Sequence, residues 1–568
     1  MSDLNRNYRR LLKTYWIPFF IYLVATSMTR APWIGDTVGY ARAIEQARFD
    51  DFGHFLWLPL GWLASRALGP FAEFAVGSNE RLKIVWTLML INWLAGLAVV
   101  LMIYDLSRRM VTKLWIALIS STAVVFTHGF LISVHSGNSY VPGLALLCVG
   151  LSILLSANDR SVLRWRTPLA AGTALAISVS LWVPFVYAIP AALVSPILVY
   201  GRSRQHLVLA GRTTLVMSVV AATIFVIGAT FLGIHTVGGL LAWVESASHG
   251  LVGNNGIPRM ALGFSRSFIN VGDDGVLFKR FLVGDPFNPV TVFDLARRSA
   301  WKIGLFYFFI GSMLLTLSRT AQGRRLVALW FVNAIPVLGF GLMWQGGDLE
   351  RYMALYPVTY VGLAHGLSGD RSRRWFLPVT LAFVGATSVA SMERMARPAV
   401  ARQEDKALAR LKDLMPLLKA ESLVCTINQQ DPVWSFTWNF PFHPLNRDDR
   451  LNTYNMIEPG TSREERWREE FAAHALDTWR RGGDVWITVR VQSAKPQFDW
   501  VWAEGGDSVS WTDITGLFAR LQLGEPVGAD DGFALLLPSV LNQEAVRELV
   551  PSHVVARGFV SGTGGGSD

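Results

Sequence analysis

Long runs of apolar residues, separated by short polar segments, fill most of the chain up to residue 391. Each of the clearest runs holds roughly 16–24 mostly uncharged residues, and a helix of that length crosses about 30 Å of hydrocarbon at 1.5 Å per residue. These runs cover residues 83–104, 114–131, 213–236, 326–345 and 375–391. The pattern predicts a polytopic α-helical membrane protein, and the composition, 51% hydrophobic and only 17% charged, agrees with it.

Basic residues cluster in loops between the apolar runs, at residues 108–113, 160–166, 202–212, 319–325 and 371–374. The positive-inside rule places these loops and the amino terminus in the cytoplasm. The loops near 130–138 and 346–352 contain almost no Lys or Arg and are expected on the outer side. The net charge of +10 therefore reflects membrane topology and does not indicate nucleic acid as a partner.

This alternation predicts about eleven transmembrane helices and places the carboxy terminus outside. The run 167–200 has basic residues on both flanks, so we expect a hairpin of two short helices with its break near Leu181 to Pro184. The apolar stretch near 16–28 is expected to remain as the first helix, because no convincing signal-cleavage site follows it. The predicted helices lie near 15–30, 83–104, 114–131, 139–156, 167–181, 184–200, 213–236, 302–318, 326–345, 353–368 and 375–391.

The domain organisation follows from the same pattern. Residues 1–399 are expected to form a transmembrane domain with two long outer loops, 31–82 and 237–301, and residues 400–560 a soluble extracytoplasmic α/β domain. Strand-like runs in the latter lie at 422–428, 484–491 and 533–537, and a helical pattern lies at 462–480. The Gly- and Ser-rich segment 561–568 is expected to be disordered. Cys148 lies in an apolar run and Cys425 in the soluble domain, so no disulfide is expected.

The first outer loop contains a carboxylate immediately after the first helix, in the sequence Gly35-Asp36-Thr37. One interpretation is that Asp36 caps the helical pattern that follows, since Asp accepts hydrogen bonds from free helix N–H groups. The other is that the acid performs lipid chemistry, because the amphipathic segments after it, which contain His54, are too short to span and should lie at the outer interface. The two roles are compatible with each other.

Several of these positions resemble the GT-C class of integral-membrane glycosyltransferases, which use polyprenyl-phosphate sugars and include the protein O-mannosyltransferases. Gly35-Asp36-Thr37 matches the acidic motif after the first helix in that class, and His54 with Leu58-Pro59-Leu60 is similar to a degraded His-Pro-Pro-like segment. Asn138 and Ser139 stand before Tyr140, where an acidic residue often precedes the Tyr, so a second carboxylate is missing there.

Near the end of the membrane domain, the sequence from Asp348 through Arg351-Tyr352 to Pro357 is similar to an Arg-Tyr…Pro helix start of the class, on the same outer face as Asp36. An Arg offers a planar, permanently charged fork that suits phosphate. The alternative for Arg351 is a salt bridge with Asp348 or Glu350 that caps the helix. The resemblance covers roughly residues 15–391, and residues 400–568 resemble no family.

The resemblance implies a GT-C-like fold and an enzyme that moves a sugar, with inversion, from a polyprenyl-phosphate donor to a glycan, lipid or protein acceptor at the outer face of the inner membrane. Asp36 is the expected general base, and Arg351 with Tyr352 is expected to bind the donor phosphate. No metal site is predicted, although Asp50, Asp51 or the loop 237–301 leaves a divalent cation possible. Further substrate contacts are expected from Tyr40, His54, Asn138, Tyr140 and Glu350.

Two rival functions stay open. A transporter or flippase of lipid-linked glycan needs ionisable groups along its path, and the apolar runs contain hardly any. A non-catalytic scaffold would instead bind glycan through its tail, where the many Trp residues suit either a core or stacking on sugars. The sequence lacks the GxxxxGK[ST] loop of a nucleotide-driven transporter. It has no cytoplasmic domain of a size to bind a nucleotide sugar, which favours a lipid-linked donor.

Overall fold

The computed structural model describes most of the chain in well-placed segments. Parts of the loop 237–301 and the whole of segment 561–568 lie outside the described residues. The described residues are 2–157, 165–246, 256–272, 276–285, 287–344, 346–427, 431–443, 446, 451–457, 466–493, 495, 509–528 and 532–550.

The chain divides into two compact units. The first, here called the membrane unit, comprises Met1–Ala247, Asn254–Asp274 and Arg298–Arg397. The second, the carboxy-terminal unit, comprises Ser248–Gly253, Gly275–Arg297 and Pro398–Asp568. Part of the loop 237–301 therefore clusters with the carboxy-terminal segment and not with the helices that flank it in sequence.

The membrane unit is built from helices throughout its described residues. In chain order they are α1 (Ser2–Met28), α2 (Thr37–Glu45), α3 (Trp57–Val76), α4 (Glu80–Met110), α5 (Leu114–Val125), α6 (His128–Val134), α7 (Tyr140–Ser156), α8 (Arg166–Leu181), a 3₁₀ helix (Val183–Ala188), α9 (Ile189–Tyr200), α10 (Arg204–Phe231), α11 (Val237–Ser246) and α12 (Ile257–Phe268). After the α13 (Val276–Val283) and α14 (Val292–Leu295) segments and a π-helix (Ala296–Ala300) come α15 (Trp301–Ser318), α16 (Ala321–Met343), a 3₁₀ helix (Leu349–Leu355), α17 (Tyr356–Ser368), α18 (Asp370–Met395) and the first residue of α19 (Arg397–Leu411).

The helices coincide with the apolar runs of the sequence, and the protein is a multi-pass membrane protein. Among the described residues, six helices are long and apolar enough to cross a bilayer, and the count is seven if α5 and α6, which are bent by 67° relative to each other, form one broken span. Thr14–Met28 and Tyr140–Ser156 are shorter apolar helices. The run 167–200 is broken as predicted: α8 ends at Leu181, and Pro184, which has no N–H to donate, lies at the start of the following 3₁₀ helix.

Side-chain caps fix where several of the long helices begin. Asn79 accepts a hydrogen bond from the Leu82 N–H at the start of α4, Ser203 accepts one from His206 at the start of α10, and Thr320 accepts one from Gly323 at the start of α16. Each of these bonds satisfies one of the free N–H groups of a helix terminus, which costs free energy when left unpaired in a low-dielectric surrounding.

The carboxy-terminal unit contains a small mixed sheet covered by helices. The strand order is β2-β1-β3-β4, with β1 parallel to both β2 and β3, and β3 antiparallel to β4. Its elements are α13, α14, most of α19, a 3₁₀ helix (Met415–Leu417), β1 (Leu423–Thr426), α20 (Pro432–Asn439), β2 (Asn452–Asn455), α21 (Trp467–Arg480), β3 (Val485–Thr488), a 3₁₀ helix (Val489–Gln492), α22 (Trp511–Phe518), β4 (Phe533–Leu536) and α23 (Val540–Arg547).

The three strand-like runs of the sequence correspond to β1, β3 and β4, which confirms the small α/β character of this region. The core of this unit contains the buried side chains of Trp467, Trp486 and Trp511. Trp434 and Trp438 are only half-buried and stack on each other along α20, with ring centroids 5.3 Å apart. Core packing thus explains the first three Trp residues and leaves the last two at the surface of the unit.

Candidate functional site

The first residues of α2 and α3 are anchored to the loop between α6 and α7. The Thr37 hydroxyl accepts a hydrogen bond from the Gly137 N–H at 2.7 Å, and the Trp57 indole donates to the Gly137 carbonyl at 2.9 Å. Gly35 adopts φ +58°, and a Cβ at this position would lie 2.7 Å from Nδ2 of Asn138. A glycine is required here because any larger residue would meet both backbone strain and the Asn138 side chain.

Asp36 occupies the N-cap position of α2, but its carboxylate makes no capping hydrogen bond to the helix. The side chain is exposed, whereas Gly35 and Thr37 on either side are buried. The local fold therefore holds the Asp36 backbone firmly and presents its carboxylate outward. Helix capping by the side chain, one of the two interpretations of the sequence, is not the geometry that the structure shows.

His54 lies between two tyrosines close to this loop. Its Nδ1 is 2.7 Å from Oγ of Ser139, and its ring centroid lies 5.2 Å from that of Tyr40 and 5.8 Å from that of Tyr140. Burial, followed by the charges of neighbouring groups that include Asp36, raises the pKa of Tyr40 well above its usual value. Tyr40 is therefore a neutral hydrogen-bonding group at physiological pH.

A second set of site residues comes from the 3₁₀ helix that precedes α17. Arg351 is only 9% exposed, and its guanidinium carbon lies 4.2 Å from the ring centroid of Trp344, 5.7 Å from Trp182 and 5.8 Å from Phe340. Its ion pair with Asp348 is long, at 3.8 Å. These three rings, here called the aromatic cage, orient the guanidinium through cation–π contacts, and such contacts gain strength when water is excluded.

The 3₁₀ helix is held in place by α12. Arg266 donates a hydrogen bond to the Gly347 carbonyl at 2.8 Å, and the Tyr356 hydroxyl donates to the Ser267 carbonyl at 2.9 Å. Tyr352, expected to bind donor phosphate, is fully buried, and its hydroxyl donates to the Gly346 carbonyl at 2.6 Å. In this structure Tyr352 thus supports the backbone around Arg351.

Glu350 is 7% exposed and lies among charged neighbours. Burial, and after it the negative charge of Asp348, raises the pKa of Glu350 to about 7, with the Arg351 guanidinium opposing the rise and Asp36 adding a smaller contribution to it. The Asp36 and Glu350 carboxylates both act electrostatically on the Tyr140 hydroxyl, as does Arg351. Tyr140 therefore links the two halves of the site, one from the segment after α1 and one from the 3₁₀ helix before α17.

The structure thus gathers most of the expected site residues: Asp36, Tyr40, His54, Asn138, Tyr140, Glu350 and Arg351. It also adds residues that the sequence did not single out as site residues, namely Trp182, Phe340 and Trp344 of the cage and Arg266 below it. The sequence did not identify the three aromatic residues as site residues, because an aromatic residue at the end of an apolar helix is common in membrane proteins. Across the described segments, no three His, Cys, Asp or Glu side chains come together as a metal site would require.

No protein-family model matches the sequence, and neither does any curated protein. Solved structures do match. The apo form of ArnT from Cupriavidus metallidurans superimposes with a TM-score of 0.50 at 11% identity, over 96% of this chain and 99% of ArnT. The fold is that of the GT-C glycosyltransferases.

Two further solved structures are similar at lower scores. ArnT bound to undecaprenyl phosphate gives a TM-score of 0.49 at 10% identity, over 93% of this chain and 98% of that one. The oligosaccharyltransferase of Archaeoglobus fulgidus gives 0.43 at 12% identity, over 90% of this chain and 73% of that one. The match to apo ArnT confirms the GT-C-like fold that the sequence predicts.

Proposed function

We propose that the protein transfers a sugar from a polyprenyl-phosphate-linked donor to an acceptor on the outer face of the inner membrane. The observation that carries this proposal is the pairing of an exposed carboxylate, Asp36, with a caged guanidinium, Arg351, both within electrostatic reach of Tyr140. The GT-C fold supports it, and so does ArnT, which binds undecaprenyl phosphate in one of its solved structures.

The chemistry assigned to the two groups follows from their environments. Asp36 accepts the proton of the acceptor hydroxyl. Its carboxylate is exposed on a rigid loop, so an incoming acceptor can reach it. Arg351 holds the phosphate through a fork that the aromatic cage keeps in one orientation, so little side-chain freedom is lost when the donor binds. A single displacement at the anomeric carbon with one base gives inversion.

The remaining site residues would position the substrates. Tyr40 and Tyr140 offer neutral hydroxyls, His54 and Asn138 offer polar edges at the start of α7, and Tyr352 acts through the backbone that carries Arg351. In this proposal the amino terminus is cytoplasmic and the site lies on the opposite side of the membrane, which the distribution of Lys and Arg supports. The carboxy-terminal unit would then be extracytoplasmic and would contribute to binding the acceptor.

The test is transfer of radiolabelled sugar from several polyprenyl-phosphate sugars into endogenous acceptor, in membranes that contain wild type, Asp36→Asn or Glu73→Gln. Glu73 is an exposed acid on α3 and serves as the matched control. We expect Asp36→Asn to lose about 100-fold or more of the transfer rate, as is typical when a general base is removed, and Glu73→Gln to keep it.

Expression and thermal unfolding of the three proteins should be equal, because Asn and Gln have the same size and shape as the Asp and Glu that they replace. Equal transfer by wild type and Asp36→Asn would contradict the assignment of the base. No transfer by wild type from any of the lipid-linked sugars would contradict the proposed function itself.

A further inference from the structure

Two of the long apolar helices each carry a buried asparagine that bonds to the backbone of a site segment. Asn333 of α16 is 2% exposed, and its Nδ2 donates a hydrogen bond to the Ala354 carbonyl at 2.9 Å. Asn92 of α4 is fully buried, and its Nδ2 donates to the Asn138 carbonyl at 2.7 Å. Ala354 belongs to the 3₁₀ helix that carries Arg351, and Asn138 lies in the loop between α6 and α7.

Packing alone does not account for these two side chains. An amide inside an apolar membrane helix is unfavourable unless it is hydrogen-bonded. The Oδ1 atoms of Asn92 and Asn333 are buried and have no hydrogen-bond partner among the residues that the structure describes. An unpaired buried carbonyl costs free energy, and a leucine, which has a similar branched shape, would avoid that cost. What each asparagine supplies, and a leucine would not, is the bond from its Nδ2 to the site backbone.

The Ala354 carbonyl lies where the backbone offers it one donor fewer. In a 3₁₀ helix a carbonyl accepts from the N–H three residues further on, and for Ala354 that residue is Pro357, which has no N–H. The Asn333 amide donates to this carbonyl from the neighbouring helix. Asn333 therefore bonds at the junction where the 3₁₀ helix ends and α17 begins, and it fixes that junction against α16.

The same helix, α16, also contacts the 3₁₀ helix nearer to the guanidinium. Phe340 follows Asn333 by seven residues, or two turns, and so lies on the same side of α16, where it forms part of the aromatic cage around Arg351. Gly341 packs against Tyr352, since an added Cβ would lie 2.6 Å from the Tyr352 hydroxyl. One helix thus holds the 3₁₀ helix at one point and supplies a ring to the cage at another.

We propose that Asn333 is a positioning residue whose bond to the Ala354 carbonyl holds the Arg351 guanidinium at the level of the aromatic cage. This inference rests on the proposed glycosyl transfer and assigns a residue of the membrane core to binding of the donor phosphate. Asn92 offers a matched control, because its amide donates to the Leu88 and Asn138 carbonyls in the other half of the site.

Binding of a sugar-free polyprenyl phosphate to the purified full chain tests this role without relying on transfer. Asn333→Leu should bind it about 10-fold or more weakly, because a small displacement of a positioned group is costly. Asn333→Ala, which removes the amide without adding volume, should show the same loss. Asn92→Leu removes an equivalent bond and should change this binding little. In transfer assays Asn333→Leu should raise the donor KM and leave kcat close to wild type.

A double-mutant cycle with Trp344→Leu separates positioning from a general loosening of the helices. If Asn333 acts through the cage, Asn333→Leu should weaken binding much less in the Trp344→Leu background than in wild type. Additive effects, wild-type binding by both Asn333 variants, or equal weakening by Asn333→Leu and Asn92→Leu would each overturn the proposal. Wild type that binds no polyprenyl phosphate would instead contradict the proposed function, so the two failures are distinguishable.

Discussion

The imidazole Nδ1 of His54 and the hydroxyl Oγ of Ser139 lie 2.7 Å apart in a buried position, although 85 positions separate them in the sequence. Ser139 directly precedes α7, so this hydrogen bond connects the segment between α2 and α3 to the helix that begins with Tyr140. Because Tyr40 and Tyr140 flank the imidazole, His54 sets the distance between the two tyrosines. The site depends on this bond for its shape.

A double-mutant cycle measures that bond. His54→Phe and Ser139→Ala should each lower the thermal unfolding midpoint of the detergent-solubilised protein. The two changes together should cost less than the sum of the single changes, with a coupling free energy of about 0.5–1.5 kcal/mol. Transfer should fall in all three variants, because Tyr140 loses its support. Strictly additive effects would show that the two side chains do not interact.

The fork of Arg351, and not only its charge, should be needed for donor binding. Arg351→Lys keeps the charge but loses the planar guanidinium and its stacking on Trp344. We expect kcat/KM for the donor to fall by about 10-fold or more, since the change removes a bidentate contact worth about 1.5–3 kcal/mol. Arg48→Lys, at an exposed Arg that pairs with Asp50 at 3.7 Å, is the matched control.

The aromatic cage should contribute less to donor binding than the Arg351 guanidinium does. Trp344→Leu should keep Arg351 charged but leave it less well oriented, and should weaken donor binding by about 2- to 30-fold, the range of one cation–π contact of about 0.5–2 kcal/mol. Donor KM and kcat measured separately check this. A change in kcat alone, with donor KM at the wild-type value, would contradict an orienting role in binding.

A methyl group at Gly35 should damage the site through the loop that presents Asp36. In Gly35→Ala the alanine must adopt a left-handed backbone conformation, which costs about 1 kcal/mol. Its Cβ would also lie 2.7 Å from the Asn138 amide. Gly233 has a similar φ of +70°, but no atom lies within 4 Å of an added Cβ. Gly233→Ala therefore shows the effect of backbone strain without a steric clash. Transfer should fall strongly in Gly35→Ala and little in Gly233→Ala. Equal transfer in the two variants would mean that the contact with Asn138 is not needed.

The sequence singled out Asp36 and Arg351 as candidates because each is a charged residue beside an apolar helix, a placement that is rare without a function. It did not single out the aromatic cage, because Trp182 and Trp344 approach Arg351 only once separate helices have packed together. The strand β2 was missed for a local reason: its sequence, Asn452-Thr-Tyr-Asn455, is polar and lacks the apolar pattern of a buried strand. Only its parallel pairing with β1 makes it a strand.

The carboxy-terminal unit contains a buried ion pair whose loss should be costly. Arg410 Nη1 lies 2.8 Å from Oδ1 of Asp431, and Asp431 also accepts a hydrogen bond from the Val433 N–H at the start of α20. Both side chains are nearly enclosed, and Arg490 lies 3.5 Å from the other carboxylate oxygen. Asp431→Ala would leave two guanidinium groups without this carboxylate, and breaking one partner of a buried pair costs about 3–5 kcal/mol.

We therefore expect Asp431→Ala to unfold the carboxy-terminal unit at a clearly lower temperature, measured by Trp fluorescence on the full chain, since Trp467, Trp486 and Trp511 report on its core. Asp477→Ala breaks an ion pair with Arg481 that is partly exposed and should cost less than about 1 kcal/mol. The double variant Arg410→Met, Asp431→Asn removes one charge of each sign and should regain part of the loss, because fewer buried charges lack a partner. Equal unfolding temperatures for Asp431→Ala and Asp477→Ala would mean that the buried pair does not hold the helices to the sheet.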